Sequence, residues 1–296
     1  MNIKALCHSF IPVLVVLCAI LVFWYIATVV LNTPWQRDTF ERAGNNDYSL
    51  FELIGGTMSQ ERPVLPSVHQ VAQEVYNTTV KKKVTSKRSL LFHSGVTLSS
   101  ALLGFTMGTL LGVVLAVAIV YNQALKKSLM PWIIASQTIP ILAVAPMIIV
   151  VLNAVGIQGL LPKAFISMYL SFFPIVVGMV KGLNSADASH TDLLHTFNAS
   201  AAQTFWKLRL PTSLPYLFTS MKVAVAISMV GAIVAELPTG AVAGLGARLL
   251  AGSYYGQTIQ IWSALVMASL LAALLVMIIG LVGKFVNRRM GLEQYG

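Results

Sequence analysis

Glu236 is the residue on which chemistry inside this chain would turn, because no other acidic side chain lies within or at the end of a long apolar run beyond the first. Ionisable groups are costly in such runs and tend to be functional. Three roles are open to it. It could gate or pack the helices, touch a polar solute, or sit at an interface satisfied by backbone amides near Gly240 or Gly244. Gly244-Leu245-Gly246 follows it closely. A second place is the apolar run Trp132–Leu152, which carries Pro140 and Pro146. Each proline removes a donor and frees a carbonyl. Freed carbonyls are tolerated in a membrane only where protein or a water-filled cavity satisfies them. Gln137 and Thr138 stand just before the break and could meet solute; a static kink is the alternative. A third is Gly104-x3-Gly108-x3-Gly112, three glycines on one helical face that let another helix approach closely. Static packing and a sliding interface are both open there.

Other chemistry is missing. There is no Gly-x4-Gly-Lys-Ser/Thr phosphate loop, so ATP is not expected to bind this chain by that route. There is no His-Glu-x2-His or Cys-x2-Cys pattern, and no metal site or cofactor is expected on the chain. Cys7 and Cys18 fall near or within the first apolar run and read as small packing residues. Ser, His and Asp cluster only in the link between Lys181 and Pro215, without a pocket-like setting, so an enzyme is not expected. His195 reads there as a surface or interface residue.

The elements that must position these residues are membrane helices. Of 296 residues, 56% are hydrophobic and 10% charged, against about 25% charged in soluble domains. The spacing predicts six spans, over Phe10–Leu31, Val96–Val120, Trp132–Leu152, Ala164–Val180, Tyr216–Leu237 and Ile259–Val286. Each must be helical, since an isolated strand leaves unpaired amides in lipid. The first stretch exceeds a signal-peptide core and no A-x-A site follows it, so it reads as a retained span. The chain therefore divides into an N-terminal span (1–31), a loop (32–95) with a short amphipathic helix, a core (96–286) and a tail (287–296).

Charge sets the expected orientation. Lys4, Lys126, Lys127, Lys181, Lys207, Arg209, Lys284, Arg288 and Arg289 all fall on one side of alternating spans. That side is the cytoplasm, with both termini on it. The run Lys81, Lys82, Lys83, Lys87 and Arg88 falls on the other side. Its loop, Asn32 to Gly95, exceeds the roughly 60 residues within which the charge rule holds. The run reads either as a solvated helix end or as a contact for a partner or anionic lipid. No basic stripe with interleaved aromatics appears, which argues against nucleic acid. In the same loop Ser67 can cap a helix carrying Val68, Val71 and Val75 on one face.

The link from Lys181 to Pro215 holds two short helix signatures. Ser189-x-x-Asp192 and Ser200-x-x-Gln203 read as capping boxes. Between them Asn198 is a non-glycine residue that tolerates the left-handed conformation. Pro211 is expected to end the second helix and Pro215 to open the next span. The result is a bent knob suited to transmit force from a soluble partner, with Phe197, Phe205 and Trp206 available to fill a groove on it.

This link resembles, in register, the EAA loop of binding-protein-dependent ABC importer permeases. Asp192-Leu193-Leu194 stand where that loop has Glu-Ala-Ala, Asn198 where it has Gly, and Leu208-Arg209-Leu210-Pro211 where it has Ile-x-Leu-Pro. Leu65-Pro66-Ser67, Ile139-Pro140, Ala145-Pro146, Glu236 and Gly244-Leu245-Gly246 are similar to the nitrate/sulfonate/taurine-type branch. The resemblance runs from Val64 onward; Asn32 to Arg62 is not covered by it. It implies an all-α permease whose core of five spans has the methionine-importer-type (type I) fold, in a bacterial inner membrane. It also implies ABC ATPase subunits holding ATP and Mg, a periplasmic solute-binding protein, and a second permease copy or a similar chain. Asp192, Leu193, Leu194, His195, Asn198, Phe205, Trp206, Leu208, Leu210 and Pro211 would form the ATPase-coupling loop. Gln137, Thr138, Pro140, Pro146, Glu236, Gly244 and Gly246 would line or gate the path. Branch solutes include nitrate, sulfonates, taurine and pyrimidine-like vitamin precursors. The rival reading is a secondary transporter driven by an ion gradient, which should carry internal repeats and several buried charges. A membrane enzyme should cluster His, Asp or Glu at one membrane face.

Overall fold

The computed structural model describes residues 3–44, 47–238 and 241–291, with side chains from residue 11 onward. The side chains of Lys4, Cys7 and Phe10, residue Gly240 and the tail beyond Gly291 lie outside the described residues. Among the described residues every regular element is helical. Five helices are long and apolar enough to span a membrane: Ile11–Arg42, Leu90–Tyr121, Leu160–Leu183, Ala201–Glu236 and Thr258–Arg289. A sixth candidate is a pair, Gln123–Ser136 and Ile141–Ala154, bent by 102°. The helices fall into two compact units, Met1–Leu91 with Arg248–Met267, and Phe92–Ala247 with Ala268–Gly296.

In the first unit α1 (Ile3–Arg42) does not stop at Leu31 but continues eleven residues further, to Arg42. Beyond it lie α2 (Leu50–Met58) and α3 (Val68–Thr79). Asn32, placed by sequence at the start of a loop, is fully buried on α1. Its amide donates to the carbonyls of Thr57 (3.1 Å) and Leu65 (2.9 Å), and its oxygen accepts from the Val64 (2.8 Å) and Leu65 (3.2 Å) amides. One side chain thus satisfies the irregular backbone that a buried loop must otherwise leave unpaired. Trp24 donates to the Pro66 carbonyl at 2.9 Å and meets Trp262 edge-on at 4.6 Å. Ser67 takes the N-cap position of α3 as expected, but the capping bond runs from its backbone amide to Gln70 Oε1 at 3.1 Å while its hydroxyl donates to the Met58 carbonyl at 3.1 Å; Val71 is buried. Cys18, expected to pack, is exposed on α1, because the flanking run from Ile11 to Phe23 is exposed on every face.

The second unit is organised around α7 (Leu160–Leu183), which packs between α4 (Leu90–Tyr121) and α10 (Leu210–Glu236). In lipid, apolar burial does not drive helices together; close packing and interhelical hydrogen bonds do. The glycine face of α4 is pressed on α7. A Cβ at Gly104 would lie 2.5 Å from the Ala164 carbonyl, one at Gly108 3.2 Å from the Met168 carbonyl, and one at Gly112 2.7 Å from the Ile175 side chain. On the other side of α7 a Cβ at Gly182 would lie 3.0 Å from Ser213, and one at Gly231 of α10 would lie 2.8 Å from the Ser167 Cα. Ser167 donates to the Ser228 carbonyl at 2.7 Å. Ile175, Met179, Leu183, Val225 and Met229 fill the seam.

The third expected span is the bent pair α5 (Gln123–Ser136) and α6 (Ile141–Ala154). The break falls at Gln137–Pro140, and Pro140 becomes the N-cap of α6. Pro146, expected to interrupt the ladder too, lies inside α6 without ending it. It stands at the sixth position of α6, so its ring presses on the backbone of the first turn, beside the break that Pro140 already makes.

Candidate functional site

Two places bring the sequence-predicted residues together. The first is the end of α10. Glu236 is completely buried. The Thr97 hydroxyl of α4 lies 2.9 and 3.0 Å from its two carboxylate oxygens, and the Gly246 amide donates to it at 2.7 Å. Thr97 in turn accepts from the Leu245 amide at 2.8 Å, and His93 Nδ1 accepts from the Gly244 amide at 3.0 Å. Glu236 is therefore met by a backbone amide, as one of its expected roles required; the amide is that of Gly246. A Cβ at Gly246 would lie 2.8 Å from that of Glu236, and Gly244 has φ +128°, a conformation that favours glycine. A cavity of about 360 Å³ opens beside Lys163, Asn153 and Gln158. Thr97 and His93 were not legible as partners. Both sit among other polar residues at the start of their helix.

Gln137 and Thr138 lie elsewhere, at the α5–α6 break. The Thr138 hydroxyl returns to the Ala135 carbonyl at 2.8 Å, and the Gln137 amide reaches Ser136 Oγ at 3.3 Å. The freed Ser136 carbonyl accepts from the Tyr169 hydroxyl of α7. Protein therefore satisfies that group, as an irregular segment at membrane depth requires.

The second place is the segment between α7 and α10. It contains α8 (Ala188–Thr196), the short α9 (Ala201–Thr204) and a π-helical turn, Phe205–Arg209, that runs directly into α10. The cap of α8 is Asp187, not Ser189: its carboxylate accepts from the Ser189 amide at 3.0 Å and hydroxyl at 2.9 Å. These bonds hold the Asp187 carboxyl below its usual range, the backbone amide most strongly. Ser189 lies in the first turn and cannot start the helix. The second box forms as expected, with the Gln203 amide donating to Ser200 Oγ (3.3 Å) and the Ser200 amide to Gln203 Oε1 (2.8 Å).

Between the helices Asn198 has φ +50°, the only left-handed non-glycine residue described. Its amide donates to the His195 carbonyl (2.9 Å) and the Ala199 amide to the Leu194 carbonyl (3.0 Å). That paired pattern is the Schellman stop, which wants Gly or Asn at this position. Asn198→Gly is expected to leave the bend intact. Asn198→Val should destabilise it by about 1–2 kcal/mol, read as faster proteolysis of residues 188–209 in the folded protein.

Pro211 does not end the second helix; it stands in the first turn of α10, and Pro215 lies further inside. The proline ring would clash with the carbonyl four residues back. The π turn relieves this by pairing the Leu210 amide with the Phe205 carbonyl instead. The same turn directs Phe205 inward, edge-on to Tyr121 at 6.0 Å and against the core. Leu208 and Leu210 are half-buried, while Asp192, Leu193, His195, Phe197 and Trp206 are exposed and Leu194 is half-buried. Arg209 lies 5.5 Å over the Tyr121 ring. Among the described residues no group of His, Cys, Asp and Glu could hold a metal.

Residues 108–292 match the family described as binding-protein-dependent transport system inner membrane component. The chain belongs to this family. An ABC permease component is not itself catalytic, and permeases of this family typically carry no cofactor. It is a multi-pass protein of the inner membrane. Among its relatives is the formylaminopyrimidine transport permease protein ThiX of Halalkalibacterium halodurans, 30% identical over 65% of this chain and 72% of that one. The riboflavin transport system permease protein RibX of Chloroflexus aurantiacus is 30% identical over 76% of this chain and 80% of its own. The nitrate import permease protein NrtB of Leptolyngbya laminosa is 23% identical over 78% and 81%. A binding-protein-dependent ABC permease implies ATPase and binding-protein partners.

Proposed function

We propose that this permease forms the path for a small solute handed over by a periplasmic binding protein, and that segment 181–215 couples the path to a separate ATPase. The observation that carries the coupling is the exposed apolar set on the bent segment. Leu193 is 53%, Phe197 76% and Trp206 67% exposed on a segment anchored at both ends by α7 and α10. Large apolar side chains left in water beside a rigid bend suit a docking knob. ATP and Mg bind on the partner ATPase, both termini are cytoplasmic, and a second copy or a similar permease completes the path. ATP-driven closure of the ATPases then reaches α7 and α10 through the knob and alternates the path between its two faces. The Glu236–Thr97–Gly246 cluster holds the turn after α10 to α4 and serves as packing for the gate.

A tagged full chain purified gently from its native membrane should bring down an ATPase with a phosphate-binding loop. Asp192→Arg, on an exposed position, should remove that ATPase while leaving the permease folded. If no ATPase accompanies the folded chain, and uptake persists when ATP is depleted but an ion gradient is kept, the gradient-driven reading replaces this one.

A further inference from the structure

The first unit holds a cavity of about 740 Å³ that the transport reading leaves unused. It lies where α3 ends, where residues 81–88 lead into α4, and where α11 (Leu245–Tyr254) leads into α12 (Thr258–Arg289). Lys81, Lys82, Arg88 and Arg248 line it against a single acid, Glu74. Three of these cations, Lys81, Lys82 and Arg88, belong to the basic run that the charge rule does not explain.

Two buried polar atoms in its wall have no hydrogen-bond partner, Arg248 Nε and Asn77 Oδ1. Buried polar groups are nearly always paired, and an unpaired one calls for a missing ligand, ion or water. Burial lowers the Arg248 pKa and Glu74 opposes this, while burial raises the Glu74 pKa against the fields of Arg248 and Lys82. One donor on a cation and one acceptor on an amide are thus left open in the same wall. Their complement is an oxyanion that also carries a hydroxyl or N–H.

We propose that this cavity binds a phosphate ester, and that the ester is the headgroup of an anionic glycerophospholipid. The phosphate would pair with Arg248 and the neighbouring cations, and a glycerol hydroxyl would donate to Asn77 Oδ1. The lipid source follows from position. Arg88 stands two residues before α4, and α12 begins at Thr258 beside the lining residue Gln257. Both helices are membrane spans, so their first residues lie at headgroup depth. The excess of cations over the one acid favours an anionic headgroup over a zwitterionic one. Clustered Lys and Arg at span ends are the known chemistry of such recognition. The proposal is independent of the coupling loop and holds or fails whether or not an ATPase docks there.

The test is native mass spectrometry of the full chain, delipidated and then titrated with phosphatidylglycerol, phosphatidylcholine or glycerol phosphate. Phosphatidylglycerol should bind tightest. Lys82→Gln and Arg88→Gln, both at exposed positions, should each weaken it about fivefold and Arg248→Gln at least as much, with an unchanged melting temperature for the first two. Equal retention of phosphatidylglycerol and phosphatidylcholine, unaltered by the exposed substitutions, overturns the site. Displacement by glycerol phosphate at matched concentration overturns the lipid source and makes the cavity a solute site. If the variants keep their lipid but lose the binding protein in a pull-down, the cations serve that partner and the proposal falls.

Discussion

Gly104→Leu should yield a permease that fails to assemble. The Cβ alone would sit 2.5 Å from the Ala164 carbonyl and closer still to the Ser167 side chain. A side-chain tip can swing away, but a backbone carbonyl inside α7 cannot move without bending that helix. Overpacking a fixed contact costs about 1–3 kcal/mol, and here the upper end applies because α7 is held on its other side by α10. The α4–α7 seam has no water-driven hydrophobic term to offset the loss. Gly95 lies in the same helix with nothing within 4 Å of its Cβ position. Gly95→Leu should therefore be tolerated. Size-exclusion profiles and melting temperatures of the two variants in one detergent decide the matter. Equal behaviour would show that the helices part at no cost, and the close approach would carry no structural weight.

Removing the Glu236 carboxylate should have a comparable effect and separate packing from transport. In Glu236→Ala the Thr97 hydroxyl and the Gly246 amide lose their acceptor inside a buried cluster. Each unsatisfied group costs about 1–3 kcal/mol, so a loss of about 3 kcal/mol is expected and expression should fall. Glu236→Gln keeps the size and one acceptor oxygen. Its oxygen can still accept from Gly246, and its amide can donate to Thr97, whose hydroxyl already accepts from Leu245. Thr97 must then reorient, which disturbs its bond to the Leu245 amide. This variant should fold with a small loss but show reduced coupled uptake. Melting temperature and uptake measured on one preparation separate the roles. Normal uptake by a normally expressed Glu236→Gln protein would confine Glu236 to packing.

Much of this arrangement was legible from local rules. The apolar runs specify helices because lipid leaves the backbone no other way to satisfy itself. Gly104, Gly108 and Gly112 mark a close seam because their spacing matches one helical face. Asn198 marks the bend because few other residues accept its φ. Ser200-x-x-Gln203 caps because both partners lie within one turn. Errors arose where two local signals competed. Asp187 and Ser189 both suit a cap, and the one nearer the start of α8 takes it. Pro211 reads as a stop, yet a π turn admits it and carries the helix on, which also sets Phe205 against the core.

By itself the sequence determined the helical class, the number of candidate spans, the bend at Asn198 and the glycine face, since each depends on neighbours within a few turns. Only the tertiary structure decided what those elements meet. Asn32 pairs with backbone 25 to 33 residues away, and Thr97 reaches Glu236 across 139. Arg248 comes to the cavity lined by Lys81, Lys82 and Arg88 from far along the chain. No periodicity encodes such pairs, because a polar side chain has many potential partners in the chain and only packing brings one of them within hydrogen-bonding distance.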